Sequence, residues 1–324
     1  MSAAGWDPVL VTGASGFVGA CAVHELVGRG HEVHVLLREP ARAWRLAGVR
    51  QRLHVHRADL LDAAGTRAIV RDVRPRVVLH LAAHGAYERQ GDARAILQTN
   101  ILGTWNLLES AADHAVELFV NTGSSSEYGF KAEPMRESDR LEPNSFYAIA
   151  KAAQTHLCAL LARRSNLATV VLRLFSVYGP WEEPTRLIPT LVRRARAGLP
   201  LEMVAPEVAR DFVYIDDVLS VLLDFPRLAA LRGEVLNLGT GKQTTLREIV
   251  AEVTDLLDSR SPVRWGAMTP RQWDANQWSA DPAKAARLLG WAPRYSLRQG
   301  LYKTAEWMKA VGDDYGSVEF HKAG

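Results

Sequence analysis

Pro8-Val9-Leu10-Val11-Thr12-Gly13-Ala14-Ser15-Gly16-Phe17-Val18-Gly19 is the stretch on which the fold turns. The short apolar run Pro8 to Val11 reads as a buried strand. Phe17 to Gly28 reads as a helix, closed by Gly28 or Gly30. Between them lie three glycines spaced three apart. A chain that turns sharply from strand to helix, with its backbone N–H groups aimed at a pyrophosphate, has no room for a side chain at Gly13 or Gly16. Gly19 lets the helix lie close against the strand. A glycine triplet by itself is also compatible with a tight turn that binds nothing. The strand before it and the helix after it favour a dinucleotide loop, with Gly13, Ser15, Gly16, Phe17 and Val18 against the cofactor.

Working outward, short apolar runs alternate with helical patterns. Glu32 to Leu37, Leu53 to Val55, Val77 to Ala82, Leu118 to Thr122 and Thr169 to Phe175 read as strands. Gly65 to Val73, Ala93 to His114 and Ser145 to Arg164 read as helices. Such alternation predicts an α/β fold of the Rossmann type, a doubly wound parallel sheet covered on both faces. The pattern loosens after Gly179, where Pro180, Pro184, Pro189 and Pro200 crowd together, and beyond Gly241 it is mostly helical with Trp265, Trp273 and Trp278. The expected organisation is a dinucleotide-binding domain over 1–178 and a smaller C-terminal substrate-binding lobe over 179–324, with Glu234 to Leu238 rejoining the main sheet.

Composition excludes several classes. With 48% hydrophobic and 23% charged residues and a net charge of +3, the 324-residue chain is ordinary for a globular protein with a large core. Its basic residues are scattered, so nucleic acid is not an expected partner; Arg193, Arg194 and Arg196 read as a solvated helix face. Cys21 and Cys158 form no C-x-x-C pair, so neither a disulfide framework nor a zinc site is predicted, and no metal ligand is assigned. No run approaches a membrane span, and Met1 to Trp6 lacks the pattern of a signal peptide, so a cytoplasmic location with no membrane partner is expected.

The end of the second strand bears on the cofactor. An acid there would bind a ribose 2′-hydroxyl. Leu37 stands where the acid is expected, Arg38 follows, and Arg42 and Arg45 come soon after. Guanidinium groups suit a 2′-phosphate, so NADP is expected; NAD stays open if Glu39 is the ribose ligand. Asp59-Leu60 is placed to flank the adenine, and Asp59 also suits a helix N-cap.

Tyr147 and Lys151, four apart on a predicted helix, share one face. A phenol's ordinary pKa near 10 is too high for proton transfer at neutral pH, and a nearby ammonium favours the phenolate. The spacing also fits a plain surface pair. The polar segment Asn121 to Gly129, after the fifth strand, lies where parallel sheets bind ligands. Ser124 there suits a hydrogen bond to a substrate oxygen, or a turn serine's local bond.

Taken together, these segments resemble the extended short-chain dehydrogenase/reductase family, in its nucleotide-sugar-modifying branch. Thr12 to Gly19 matches T-G-x-x-G-x-x-G, and Tyr147-Ala148-Ile149-Ala150-Lys151 matches Y-x-x-x-K. Leu81-Ala82-Ala83-His84, Asn100 to Thr104, Arg173 to Pro180, Arg210 to Val218 and Asn237 to Gly241 are similar to later signatures. The resemblance implies Ser124, Tyr147 and Lys151 as catalytic residues, Leu81, Ala82 and Ala83 against the cofactor, and Ser124, Ser125, Ser176, Arg210 and Arg271 against a nucleotide sugar. Arg271 also reads as a surface residue near Trp273. A homodimer through the Ala93–His114 and Ser145–Arg164 helices is implied as well. Family 4,6-dehydratases carry acids after the catalytic Ser or Thr; here Ser125 and Ser126 follow, with Glu127 the nearest acid. Asn is frequent in the family where Ser176 stands. The string Gly123 to Gly129 is similar to that of reductases of 4-keto-6-deoxy sugar nucleotides. The expected activity is NADPH-dependent 4-ketoreduction. A nucleotide-sugar 4-epimerase with retained cofactor and a non-catalytic NADP-binding sensor are the rival readings.

Overall fold

The computed structural model describes residues 3–86, 90–269 and 275–312. β1 (Val9–Thr12), α1 (Phe17–Gly28), β2 (Val33–Leu37), β3 (Leu53–Arg57), α2 (Ala63–Val73), β4 (Val77–His80), α3 (Ala93–Leu97), α4 (Gly103–Asp113), β5 (Leu118–Ser124), α5 (Phe146–Arg164) and β6 (Ala168–Leu174) follow in order. After β6 come β7 (Ser176–Tyr178), α6 (Leu187–Arg196), β8 (Leu201–Glu202), β9 (Ala209–Arg210), β10 (Phe212–Tyr214), α7 (Ile215–Leu222), α8 (Phe225–Ala229) and β11 (Val235–Leu238). The chain closes with β12 (Thr244–Thr245), α9 (Leu246–Leu256), β13 (Val263–Arg264), α10 (Ala283–Leu289) and α11 (Leu297–Val311).

Seven strands form one sheet in the order β11-β6-β5-β4-β1-β2-β3, every pair parallel. This is the doubly wound arrangement expected from the alternating pattern, with its switch point between β1 and β4. Alternation along β1 sorts the core into two faces. Val9 and Val11 join the cluster that includes α1, α6, α7, α9 and α11, while Leu10 joins Leu107, Leu108, Phe119 and Cys158 on the other face. Both cysteines are free and buried, packing as small apolar groups on α1 and α5. The expected return of the chain to the sheet is seen: β11 pairs with β6, Val235 opposite Val171 through Leu238 opposite Leu174.

Some boundaries differ from expectation. The long helix read over Ala93–His114 is interrupted by a π turn at Gln98–Leu102, where Thr104 Oγ1 donates back to the Asn100 carbonyl at 2.6 Å. Gly30, at φ +82°, ends α1, one residue beyond its Arg29 cap. Asp62, not Asp59, caps α2, by accepting from Gly65 N. Among the described residues no helix is long and apolar enough to cross a membrane.

Candidate functional site

The glycine loop is shaped by contacts that exclude side chains. Gly13 sits at φ +68°, and a Cβ there would lie 2.4 Å from Ala82 N. A Cβ on Gly19 would lie 2.1 Å from the Gly13 carbonyl oxygen. Both glycines are therefore required by the protein's own backbone, one where β1 meets the segment after β4 and one where α1 meets the loop. Gly16 differs. It is exposed, and its Cβ would meet only the Gly13 carbonyl oxygen, at 3.2 Å. No side chain caps α1 at Gly16, so the amino terminus of α1 keeps an approach for an anion. These features fit a dinucleotide pyrophosphate, beside Ser15, Phe17 and Val18 and opposite Leu81, Ala82 and Ala83.

The adenine end is less simple than the run of arginines implies. Arg38 is exposed at the end of β2, and its charge, second to burial, depresses the His84 imidazole below its ordinary range. Arg45 is not available to a 2′-phosphate. It is buried, and donates to the Trp181 carbonyl (Nε, 2.8 Å), to the Ser15 carbonyl (Nη1, 3.2 Å) and to Glu183 Oε2 (Nη2, 3.2 Å). The guanidinium that sequence spacing placed near the ribose instead ties the glycine loop to the C-terminal lobe. Asp59 accepts from Leu61 N at 3.0 Å, and Leu60 packs on Gly103 at the start of α4.

At the far side of the switch point, Ser145 caps α5 by accepting from Ala148 N, which starts the helix at Phe146, one residue before Tyr147. One turn on, the buried Lys151 Nζ donates to the Thr122 carbonyl of β5 at 2.8 Å and lies 5.9 Å from the Tyr147 ring centroid. Burial lowers the Lys151 pKa to about 8, opposed by the charge of Glu127. Tyr147 is half-buried. Ser124 ends β5, so Lys151 grips the strand that carries it.

Ser124 and its neighbours are firmly held. Ser124 N donates to Glu127 Oε1 at 2.8 Å, and the Ser124 and Ser126 hydroxyls are 2.8 Å apart. Glu127 is fully buried; its Oε2 also accepts from Thr155 Oγ1 (2.8 Å) and from Arg173 Nε (2.9 Å). Arg173 in turn donates to Tyr128 OH, which donates to Asn237 Oδ1 at the end of β11. Every oxygen of the one acid near Ser124 is thus engaged in supporting the loop.

The serine loop also meets the C-terminal lobe. Trp278 Nε1 donates to Ser125 Oγ at 3.0 Å, and the Arg210 guanidinium lies 5.2 Å from the Trp278 ring centroid. Arg210 Nη1 donates to the Ala209 and Ala275 carbonyls. Ser176 N donates to the Asp211 carbonyl, which brings Ser176 beside this group. Arg271, expected to share the diphosphate with Arg210, lies outside the described residues.

Two residues to which the sequence reading gave no role organise this region. Trp278 links Ser125 to Arg210; the Trp-rich stretch was its signal. Asp211 is buried and accepts from Thr240 N, Thr240 Oγ1, Gly241 N and Ala280 N, with burial raising its pKa. It fixes the loop after β11 against the residue that follows Arg210.

Comparison with known proteins agrees with this architecture. The model of the NAD dependent epimerase/dehydratase family matches residues 9–239. A dTDP-glucose 4,6-dehydratase of Streptomyces griseus is 30% identical, over 92% of this chain and 93% of its own. The structure of MoeE5 in complex with UDP-glucose and NAD is 32% identical and covers 94% of this chain and 99% of its own, with a TM-score of 0.82. The UDP-glucose 4-epimerase of Thermotoga maritima, solved with UDP-glucose, is 26% identical over the same shares, with a TM-score of 0.83. The chain therefore belongs to the NAD-dependent epimerase/dehydratase family, among the extended short-chain dehydrogenases/reductases that modify nucleotide sugars.

Proposed function

We propose that the protein is an NADPH-dependent 4-ketoreductase of a nucleotide-linked 4-keto-6-deoxy sugar. The observation that carries this reading is the state of the three positions after Ser124. Ser125 and Ser126 offer only hydroxyls, which are poor general bases. Glu127 is held by Arg173, Thr155 and the Ser124 N–H. The two positions where the resemblance implies a 4,6-dehydratase's acids thus carry hydroxyls, although relatives of that name are 27–30% identical to this chain. Redox chemistry at C4 needs only the groups that remain.

Bound nicotinamide supplies the hydride; the protein's residues bind, orient and protonate. Backbone N–H groups at the start of α1 hold the pyrophosphate, and Arg38 takes the 2′-phosphate. Lys151 is cationic below about pH 8 and favours the phenolate of Tyr147. Tyr147 delivers its phenolic proton to the C4 oxygen, and the Ser124 hydroxyl, turned from Ser126, orients the ketone. Arg210, with Arg271, pairs with the substrate diphosphate, and Ser125 and Ser176 line the sugar.

One NADPH oxidised per sugar reduced, followed by the near-ultraviolet absorbance of the reduced nicotinamide, is the expected stoichiometry. Tyr147→Phe is expected to lower kcat by about 10²–10⁴-fold. Interconversion of C4 epimers with no net absorbance change would overturn the reading in favour of a 4-epimerase. That second reading is favoured by the likeness to the Thermotoga maritima UDP-glucose 4-epimerase, and it would pair with NAD, the dinucleotide in the MoeE5 complex, through Glu39.

The expected partner is a second copy. Leu102, Phe146 and Ile149 are 52%, 53% and 43% exposed around the π turn and the start of α5, apolar groups that a helix-to-helix dimer would cover. Light scattering on the wild-type protein should give twice the chain mass. Ile149→Arg should shift it toward the monomer; a monomeric wild type would remove the dimer from the proposal.

A further inference from the structure

Far from the serine loop, at the sheet edge, three imidazoles and a carboxylate converge. β2 and β3 are parallel neighbours with His34 opposite His54. Residues two apart share a face, so Glu32 joins His34, and His56 joins His54, on the same side. The His34 ring stacks on His54 at 4.5 Å and on His56 at 5.2 Å. His34 Nδ1 is 2.9 Å from His56 Nε2, and His34 Nε2 is 3.0 Å from Glu32 Oε1. The ligand atoms of Glu32, His34 and His54 lie within 4.8 Å of one another. His34 is 8% exposed, whereas Glu32 and His54 are exposed.

The arrangement answers the demands of a borderline divalent cation. Zinc holds nitrogen and oxygen ligands at about 2.0–2.2 Å, which sets them roughly 3.4 Å apart around a tetrahedron. Glu32 Oε1 already lies beside His34 Nε2, and the exposed His54 ring, stacked on His34 with 17° between the planes, must turn out of that stack for its lone pair to converge with theirs. If the Nδ1–H of His34 donates to His56, its Nε2 lone pair faces the Glu32 carboxylate. Two acceptors at that distance repel unless a proton or a cation lies between them. A ligating histidine whose other nitrogen donates to an outer partner is also the usual support of a metal-bound imidazole.

We propose that Glu32, His34 and His54 form a Zn²⁺ site, completed by water, with His56 positioning His34. The site pins edge strand β3 to β2 and takes no part in the C4 chemistry. The test is equilibrium dialysis of the tag-free protein against ZnCl₂, followed by thermal unfolding with and without the ion. Wild type should bind one equivalent more than His54→Ala, and zinc should raise its Tm. His54→Ala and Glu32→Gln, both at exposed positions, should lose that rise while keeping kcat. His56→Phe should bind zinc about 10–100-fold more weakly. Equal stoichiometry in wild type and His54→Ala, or a Tm rise that His54→Ala retains, would overturn the proposal.

Discussion

Two buried arginine–glutamate pairs stand beneath the two loops at the carboxyl edge of the sheet, and they differ in what they join. Arg173–Glu127 lies within the sheet's own layer. It ties β6 to the turn after β5, and Glu127 gathers a backbone N–H and a hydroxyl besides the guanidinium. Arg45–Glu183 crosses from the segment after β2 to the start of the C-terminal lobe, and Arg45 spends its other donors on the carbonyls of Ser15 and Trp181. One pair shapes the serine loop; the other sets the glycine loop against the lobe that covers it. The same ionic chemistry therefore holds a local turn after β5 in one place and joins segments distant in the chain in the other.

The largest effect is expected from breaking the first pair. Glu127→Ala leaves Arg173 buried without its carboxylate, a loss of about 3–5 kcal/mol in stability. It also releases the Ser124 N–H, so any folded fraction should show a lower kcat. Urea unfolding with single-turnover rates checks both, and an unchanged kcat in the folded variant would dissociate Glu127 from the serine loop's geometry. The second pair should respond differently. Glu183→Gln keeps a hydrogen bond to Arg45 and loses the charge, at about 1–2 kcal/mol. Its signature should be a raised KM for the dinucleotide with kcat nearly kept. A fall in kcat with KM unchanged would show that the two pairs do the same job.

The smallest effect separates these charged pairs from a buried polar group that stays neutral. His80 is enclosed by Thr12 and Thr104, and burial, helped by Lys151, lowers its pKa to about 3. Its folded pKa lies below its unfolded one, so its contribution is present above pH 6.5 and is lost as pH falls toward the folded value. From pH 6.5 to 5 that amounts to about 1–2 kcal/mol. His80→Asn should flatten this acid limb in urea unfolding while leaving the response to Glu127→Ala intact.

The sheet was legible in the sequence because its signals are local. Val9 to Thr12, the glycine spacing and the alternation that follows each lie within a dozen residues, and the return of β11 showed as one apolar run. The Tyr147–Lys151 spacing was legible for the same reason, since a helix converts a separation of four into a shared face. What could not be read rests on partners distant in the chain. Arg45 read only as one of the arginines that follow Arg38 after the second strand, whereas its partners are the Ser15 carbonyl and the Trp181–Glu183 segment. Ser125 was assigned only a sugar contact, and nothing near it in the chain announces the bond it also accepts from the Trp278 indole. Glu127 read only as the nearest acid to Ser124, because its burial against Arg173 needs the sheet to be assembled first. His34, His54 and His56 fall in two separate strands, so counting cysteines and motifs passed over them.

The pairing of β11 with β6 also has a consequence for how the chain is made. On a ribosome, β1 to β6 are complete long before Val235 to Leu238 emerge. Until then β6, a strand of buried residues from Ala168 to Leu172, apolar but for Thr169, presents a bare flank of unpaired N–H and C=O groups, the kind of edge that recruits other chains. The whole C-terminal excursion, from β7 to α8, must be synthesised before the molecule can seal that flank with its own strand. The last strand of the sheet thus acts as a timer, and a chain stalled within the excursion is the form most exposed to aggregation.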